Sequence, residues 1–177
     1  MTSATATTSE AVARARAYYD SDDADRFYSI VWGGEDIHIG IYETASEPIA
    51  AASHRTVKHM VAKRVAAGVR IGPDTRVLDL GSGYCGAARH LVKAHGVAVT
   101  AVNLSTVEND RARTLNQAAG LAERITVHDG SFEELPFSAG AFDVVWSQDA
   151  ILHSERRRRV LAEAQRLGYA EADPTMD

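Results

Sequence analysis

The residues with the most chemistry in them stand in one run, Val77-Leu78-Asp79-Leu80-Gly81-Ser82-Gly83-Tyr84-Cys85-Gly86. An apolar stretch carrying an acid runs directly into a glycine-rich turn. Backbone N–H groups in such a turn come close to a ligand, and a helix starting just behind it adds positive potential. The pattern implies a nucleotide-sized ligand at Gly81, Ser82 and Gly83. Gly81, Gly83 and Gly86 fit the G-x-G-x-x-G spacing of dinucleotide binders, which is a weak signal by itself. A dinucleotide enzyme also wants an acid on the ribose about 20 residues further on. The next apolar run ends instead at Asn103, followed by Leu104. Asn103 can bond a ribose hydroxyl but is not an acid. Asp79 either organises a bound ligand or only caps the following helix.

Two further segments carry polar groups at the ends of apolar runs. Asp129-Gly130-Ser131-Phe132 offers an acid for an exocyclic amino group and a ring to pack on a base. Ser147, Gln148, Asp149 and His153 follow the apolar run 142–146, at the edge where open α/β sheets bind ligands. Asp149 and His153 are four apart, so a helical turn there would set both on one face. A histidine beside a carboxylate serves as a base or an orienting group. Cys85 lacks a neighbouring base that would make it a nucleophile. The other histidines show no spacing typical of metal ligands, so no metal is expected. Glu155-Arg156-Arg157-Arg158-Arg159 reads as a solvated helix face.

These groups need elements to position them. The expected strands are 76–80, 97–102, 125–128 and 142–146. The expected helices are 10–19, 24–31, 48–67, 87–95, 107–119 and 154–166. Gly33-Gly34 should break the second helix, and Ile49, Val57, Met60, Val61 and Val65 should form the apolar face of the third. Strands alternating with helices imply an α/β fold with a parallel sheet and helices on both faces. Residues 1–9 read as a disordered tail, 10–70 as a helical cap or lid, and 71–177 as the ligand-binding core.

Composition narrows the class. The chain has 177 residues, 45% hydrophobic and 24% charged, enough for one core. Its net charge of -5 argues against a nucleic-acid partner. One cysteine and no long apolar run point to the cytoplasm and away from a membrane.

The order Asp79-x-Gly81-x-Gly83 resembles motif I of the class I methyltransferases, which implies a Rossmann-like sheet and S-adenosyl-L-methionine as cofactor. A more specific resemblance lies upstream. Tyr18-Tyr19-Asp20-Ser21-Asp22-Asp23-Ala24-Asp25, Phe27-Tyr28 and Trp32-Gly33-Gly34-Glu35-Asp36-Ile37-His38-Ile39-Gly40-Ile41-Tyr42 look like the N-terminal signature of the glycine betaine-synthesising sarcosine/dimethylglycine N-methyltransferases. Trp146-Ser147-Gln148-Asp149-Ala150-Ile151-Leu152-His153-Ser154 is similar to their segment after the fourth strand, and to the one bearing a catalytic histidine in phosphoethanolamine methyltransferases. The resemblance covers about residues 18–161. Cys85 departs from it, standing where glycine is expected, and Asn103 stands where the wider class has an acid.

The resemblance implies methyl transfer to a small amine in betaine synthesis. His153, supported by Asp149, is the base or proton path, with Tyr19 second. Asp79, Gly81, Ser82, Gly83, Asn103, Leu104, Asp129, Gly130, Ser131, Phe132, Ser147, Tyr18 and Trp32 would hold the cofactor. Gln148, His38 and Tyr28 would face the substrate, with aromatic faces favouring its cationic nitrogen. The family continues with three more strands, which 167–177 does not supply. The fourth strand is then expected to be an open edge, to be covered by a second copy, another partner chain or a bound helix, or else to limit solubility. The alternatives are a C- or O-methyltransferase of a lipid or natural product, a cofactor-binding domain without activity of its own, and a dinucleotide oxidoreductase.

Overall fold

The structure is a computed structural model and describes residues 10–32 and 35–168. The expectations for residues 1–9, Gly33-Gly34 and 169–177 fall outside them. Helix α1 (Glu10–Tyr19) leads to the short α2 (Asp22–Arg26) and a π-helical turn, Phe27–Val31. The expected 24–31 helix thus starts earlier, because the Ser21 hydroxyl accepts from Ala24 N and caps α2. Helix α3 (Ile49–Ala66) follows. Its Val57 and Val61 are buried, while Val65 is 50% exposed, so the apolar face is narrower than expected.

The core alternates β1 (Arg76–Leu80), α4 (Gly86–His95), β2 (Ala98–Asn103), α5 (Thr106–Ala118), β3 (Ile125–Asp129), β4 (Val144–Ser147) and α6 (Arg157–Gly168). The sheet is parallel throughout, in the order β3-β2-β1-β4. From β1 the chain steps outward to β3, then returns to the other side of β1. The order reverses between β1 and β4, so the chain leaves their carboxyl ends toward opposite sides and a crevice forms above them. The glycine turn and the segment 147–154 flank it.

Side-chain alternation along the strands feeds two apolar layers. Val77, Val99, Ile125 and Trp146 pack with Leu91 and Val92 of α4 and with Val57 and Val61 of α3. Leu78, Leu80 and Val102 pack with Phe142, Val160 and Leu167 on the opposite face. Arg76 and Asp143 pair at the start of β1 and β4, at 2.9 Å. β4 begins at Val144 instead of 142, since Phe142 N donates to Leu167 O. The last helix begins at Arg157, later than the expected 154, because a 3-10 turn (Ile151–His153) and an extended Ser154 precede it. Among the described residues β4 pairs with β1 alone, and no helix is long and apolar enough to cross a membrane.

Candidate active site

A cleft of about 720 Å³ of empty space, its open mouth included, lies over the carboxyl ends of the strands. That size suits a small ligand or cofactor. The β1 turn supplies Gly81 and Gly83, and the end of β2 supplies Asn103 and Leu104. The loop after β3 supplies Ser131 and Phe132, and the segment after β4 supplies Gln148, Asp149 and His153. From the N-terminal part come Tyr19 and His38. The cleft therefore joins eleven of the sequence-derived candidates, drawn from six stretches of chain.

Several contacts set the N-terminal part in place. Ser105 Oγ donates to Asp20 Oδ1 at 2.8 Å and to Tyr19 O at 3.2 Å. Arg111 Nε donates to Asp25 Oδ1 at 2.8 Å. Residues 35–42 then run as a strap across the glycine turn. Ser53 and Thr56 of α3 donate to the carbonyls of His38 and Ile39. Gly81 and Gly83 have φ of +77° and +50°. A Cβ at Gly81 would collide with Ala150, and one at Gly83 with the Ile37 side chain. The glycines thus admit two neighbouring segments of the chain itself to the turn. Cys85 has φ +61° and caps α4. That left-handed conformation accounts for the glycine expected there.

The phenol of Tyr19 and Nε2 of His153 are 3.1 Å apart. The expected support of His153 by Asp149 is not what the fold builds. Asp149 adopts φ +52°, so no helical turn carries it onto the face of His153. Its Oδ2 accepts from Ile39 N at 2.8 Å and ties the strap to the segment after β4. Ser154 Oγ donates to Glu133 Oε1 at 2.6 Å and anchors the end of the same segment.

Other candidates do not line the cleft. Asp129 is engaged elsewhere: Asn109 Nδ2 donates to Oδ1 at 2.6 Å, and Arg113 Nη2 to Oδ2 at 2.9 Å. The adjoining Gly130 is likewise outside the lining, as is Ser147, whose hydroxyl donates to Leu80 O. Tyr28 stacks on Tyr19 with ring centroids 5.9 Å apart, and Tyr18 meets Tyr19 edge-on at 5.0 Å. Trp32 Nε1 donates to His38 O. These three aromatics back Tyr19 and His38 from behind.

Beneath the turn, Asp79 is buried, and its Oδ2 has no hydrogen-bond partner; Ser82 Oγ and Asp36 Oδ1 are in the same condition. Burial, and then the neighbouring Asp36, push the Asp79 carboxyl up to about 7. His38 is held below its ordinary value by burial, against the pull of Asp36 and Asp149. Glu108 lines the cleft and escapes sequence reasoning altogether. Ser105-Thr106-Val107-Glu108 has the composition of a capping box, and Ser105 Oγ does accept from Glu108 N. The Glu108 carboxylate, however, accepts from Asn103 Nδ2 at 2.8 Å through Oε2. Its Oε1 is buried without a partner. Burial pushes this carboxyl up to about 7 as well. Gln148 is buried with both ends of its amide unpartnered.

Buried polar atoms in native proteins are normally hydrogen-bonded, so such a concentration points to a ligand. The complement of two buried carboxylates, a hydroxyl and an amide beside Phe132 is a ligand with a cationic amine, hydroxyls and a flat ring. S-adenosyl-L-methionine has those groups, and the residues present fit it.

Comparison with known proteins agrees with this chemistry. Residues 78–168 match the family described as a methyltransferase domain. A glycine/sarcosine/dimethylglycine N-methyltransferase of Actinopolyspora halophila is 56% identical over 90% of this chain and 27% of its own length. A sarcosine/dimethylglycine N-methyltransferase of Halorhodospira halochloris is 51% identical over 89% of this chain and 55% of its own. The chain thus spans about half or less of these curated relatives. The crystal structure of a putative sarcosine dimethylglycine methyltransferase from Galdieria sulphuraria superposes with a TM-score of 0.77 at 44% identity, covering 82% of this chain and 56% of that one. With its parallel sheet, its glycine turn after β1 and a match across more than half of its residues, the chain belongs to the methyltransferase domain family.

Proposed function

We propose that the chain takes part in S-adenosyl-L-methionine-dependent methylation of the nitrogen of a small amino acid, of the sarcosine or dimethylglycine kind, in betaine synthesis. The observation that carries this reading is the pairing of Tyr19 with His153 at a cleft lined by Glu108, with Asp79 buried beneath its glycine turn and an unpartnered oxygen on each carboxyl. The cofactor, when bound, supplies an electrophilic methyl group on a sulfonium. In this reading Asp79, Ser82 and the turn at Gly81 and Gly83 hold its amino-acid end. Asn103, Leu104 and Glu108 hold the ribose hydroxyls. Phe132 and Ser131 receive the adenine.

The acceptor nitrogen attacks only as the free base. Tyr19 donates its phenol proton to Nε2 of His153 as the phenol oxygen takes the ammonium proton, so the proton passes through Tyr19 to His153. Holding donor and acceptor in line is the main task of such a site, and alignment of that kind contributes ~7–11 kcal/mol. The Tyr19 ring, which lines the cleft, favours the growing positive charge on nitrogen by ~0.5–2 kcal/mol for a well-placed face. His38 and Gln148 complete the acceptor side. In this reading residues 10–70 are the helical cap or lid and 71–177 the cofactor-binding core. The free, buried Cys85 suits a reducing cytoplasm, and a second copy along the β4 edge belongs to the same reading.

The test is incubation with labelled S-adenosyl-L-methionine and glycine, sarcosine, dimethylglycine or an alcohol, with product masses determined. The proposal expects one added methyl on sarcosine or dimethylglycine. Transfer only to the alcohol would overturn the choice of nitrogen.

A further inference from the structure

A second hollow lies outside the cleft, between α1 and the start of α6. The two cavities share Ala15, Tyr19, His153 and Ser154, and the Tyr19–His153 contact closes the partition between them. Four arginines line the outer hollow, Arg14, Arg156, Arg157 and Arg158, with Glu155 as the one acid. Such a positive patch is out of keeping with a chain carrying a net charge of -5. It also sits against the helix dipole. The first turn of α6 has no acid, although cations there raise the energy of the positive pole.

These arginines are poorly paired. Arg14 reaches Glu10 and Glu155 only at 3.5 and 3.4 Å. Arg156 lies 4.0 Å from Glu133. Arg157 Nη2 donates to the Leu152 carbonyl at 3.1 Å, which ties its guanidinium to the 3-10 turn that carries His153 and leaves other N–H groups available. Arg158 has no acid partner among the described residues. Arg159, one residue on, faces away from the hollow and donates to Glu133 O at 2.8 Å.

We infer that the outer hollow is the acceptor's carboxylate subsite, with Arg157 and Arg158 as its ligands. A planar guanidinium matches a carboxylate with two parallel hydrogen bonds. The amino acid then lies with its carboxylate on the arginines and its nitrogen at the Tyr19–His153 partition. Arg157 and Arg158 are thus a specificity element for acceptors bearing both an amine and an acid. This rests on the N-methyltransferase reading given above.

The test is calorimetric titration of the chain, saturated with S-adenosylhomocysteine, with dimethylglycine and with dimethylethylamine, which lacks the carboxylate. The wild type binds dimethylglycine at least about tenfold more tightly, as expected for a charge-assisted pair open to solvent, and the preference shrinks in high salt. R157Q/R158Q loses that preference and leaves the S-adenosylhomocysteine affinity within about twofold, and Arg159→Gln keeps it. Equal affinity for the two amines, no dimethylglycine binding, or a preference that survives in R157Q/R158Q would overturn the subsite. Dimethylglycine binding without methyl transfer would instead sink the activity and leave the subsite standing.

Discussion

Tyr19 and His153, 134 residues apart in sequence, meet at 3.1 Å between phenol oxygen and imidazole Nε2. The pair joins α1 to the segment after β4 and stands between the two cavities. His153→Ala should lower methyl transfer by about 10²–10⁴-fold, the usual range for losing a positioned base. Cofactor affinity should hold within about twofold. Tyr19→Phe removes the relaying hydroxyl but leaves Nε2 of His153 open to the amine, and should cost less. The double variant should be no worse than His153→Ala, because both act through one proton path. Single-turnover rates in the three variants decide this, and additive losses would separate the two roles.

Asp149 acts on the strap and not on the base. Its carboxylate holds Ile39 N from a left-handed backbone position. Asp149→Gly keeps that backbone accessible and deletes the bond. The expected result is cofactor binding about tenfold weaker, mostly through faster release, with faster amide exchange at Ile39. Asp149→Asn, which retains an acceptor oxygen, should lie between the two. Unchanged exchange at Ile39 in Asp149→Gly would argue against a latch.

The two buried carboxyls give the ligand-free chain an unusual pH dependence. Asp79 and Glu108 are both pushed up to about 7 by burial, from ordinary values of 3.8 and 4.5. The folded state then binds more protons than the unfolded one between about pH 4 and pH 7. Stability falls as pH rises through that window. Each carboxyl contributes up to ~3–4 kcal/mol over it. His38 opposes this: burial lowers its value from 6.5, so its contribution grows as pH rises toward 6.5. The discriminating comparison is between variants. Asp79→Asn and Glu108→Gln should melt higher than wild type at pH 8 and about the same at pH 4, and both should bind the cofactor less tightly. Melting curves at the two pH values check the sign.

Cys85 reports on the same core. Burial, and then Asp79, raise its thiol to about 11, and the residue is fully enclosed. Labelling by a thiol reagent at neutral pH should be limited by opening of the fold. Rapid labelling of the native chain would place Cys85 nearer the surface.

The strand–turn–helix at 76–95 was legible because its signals are local: an apolar run, glycines and an amphipathic stripe. The parallel order followed from alternation of strands and helices. What stayed hidden depends on contacts distant in sequence. Glu108 looks like an ordinary acid in the first turn of a helix, and only the fold turns it toward Asn103. Asp129 looked free until Asn109 and Arg113 of α5 took its carboxylate. The i, i+4 spacing of Asp149 and His153 implied one helical face, but the positive φ of Asp149 broke that periodicity. Arg156, Arg157 and Arg158 read as a solvated face because nothing in the sequence shows that α1 closes a hollow over them.

The most direct test is a calorimetric titration of the chain with S-adenosyl-L-methionine, alongside Asp79→Ala. The account predicts saturable binding at one site, weakened at least about 100-fold in the variant, since a buried carboxylate and a cationic amine lose each other. A folded chain that gives no saturable heat, or a variant that binds as well as wild type, would contradict it.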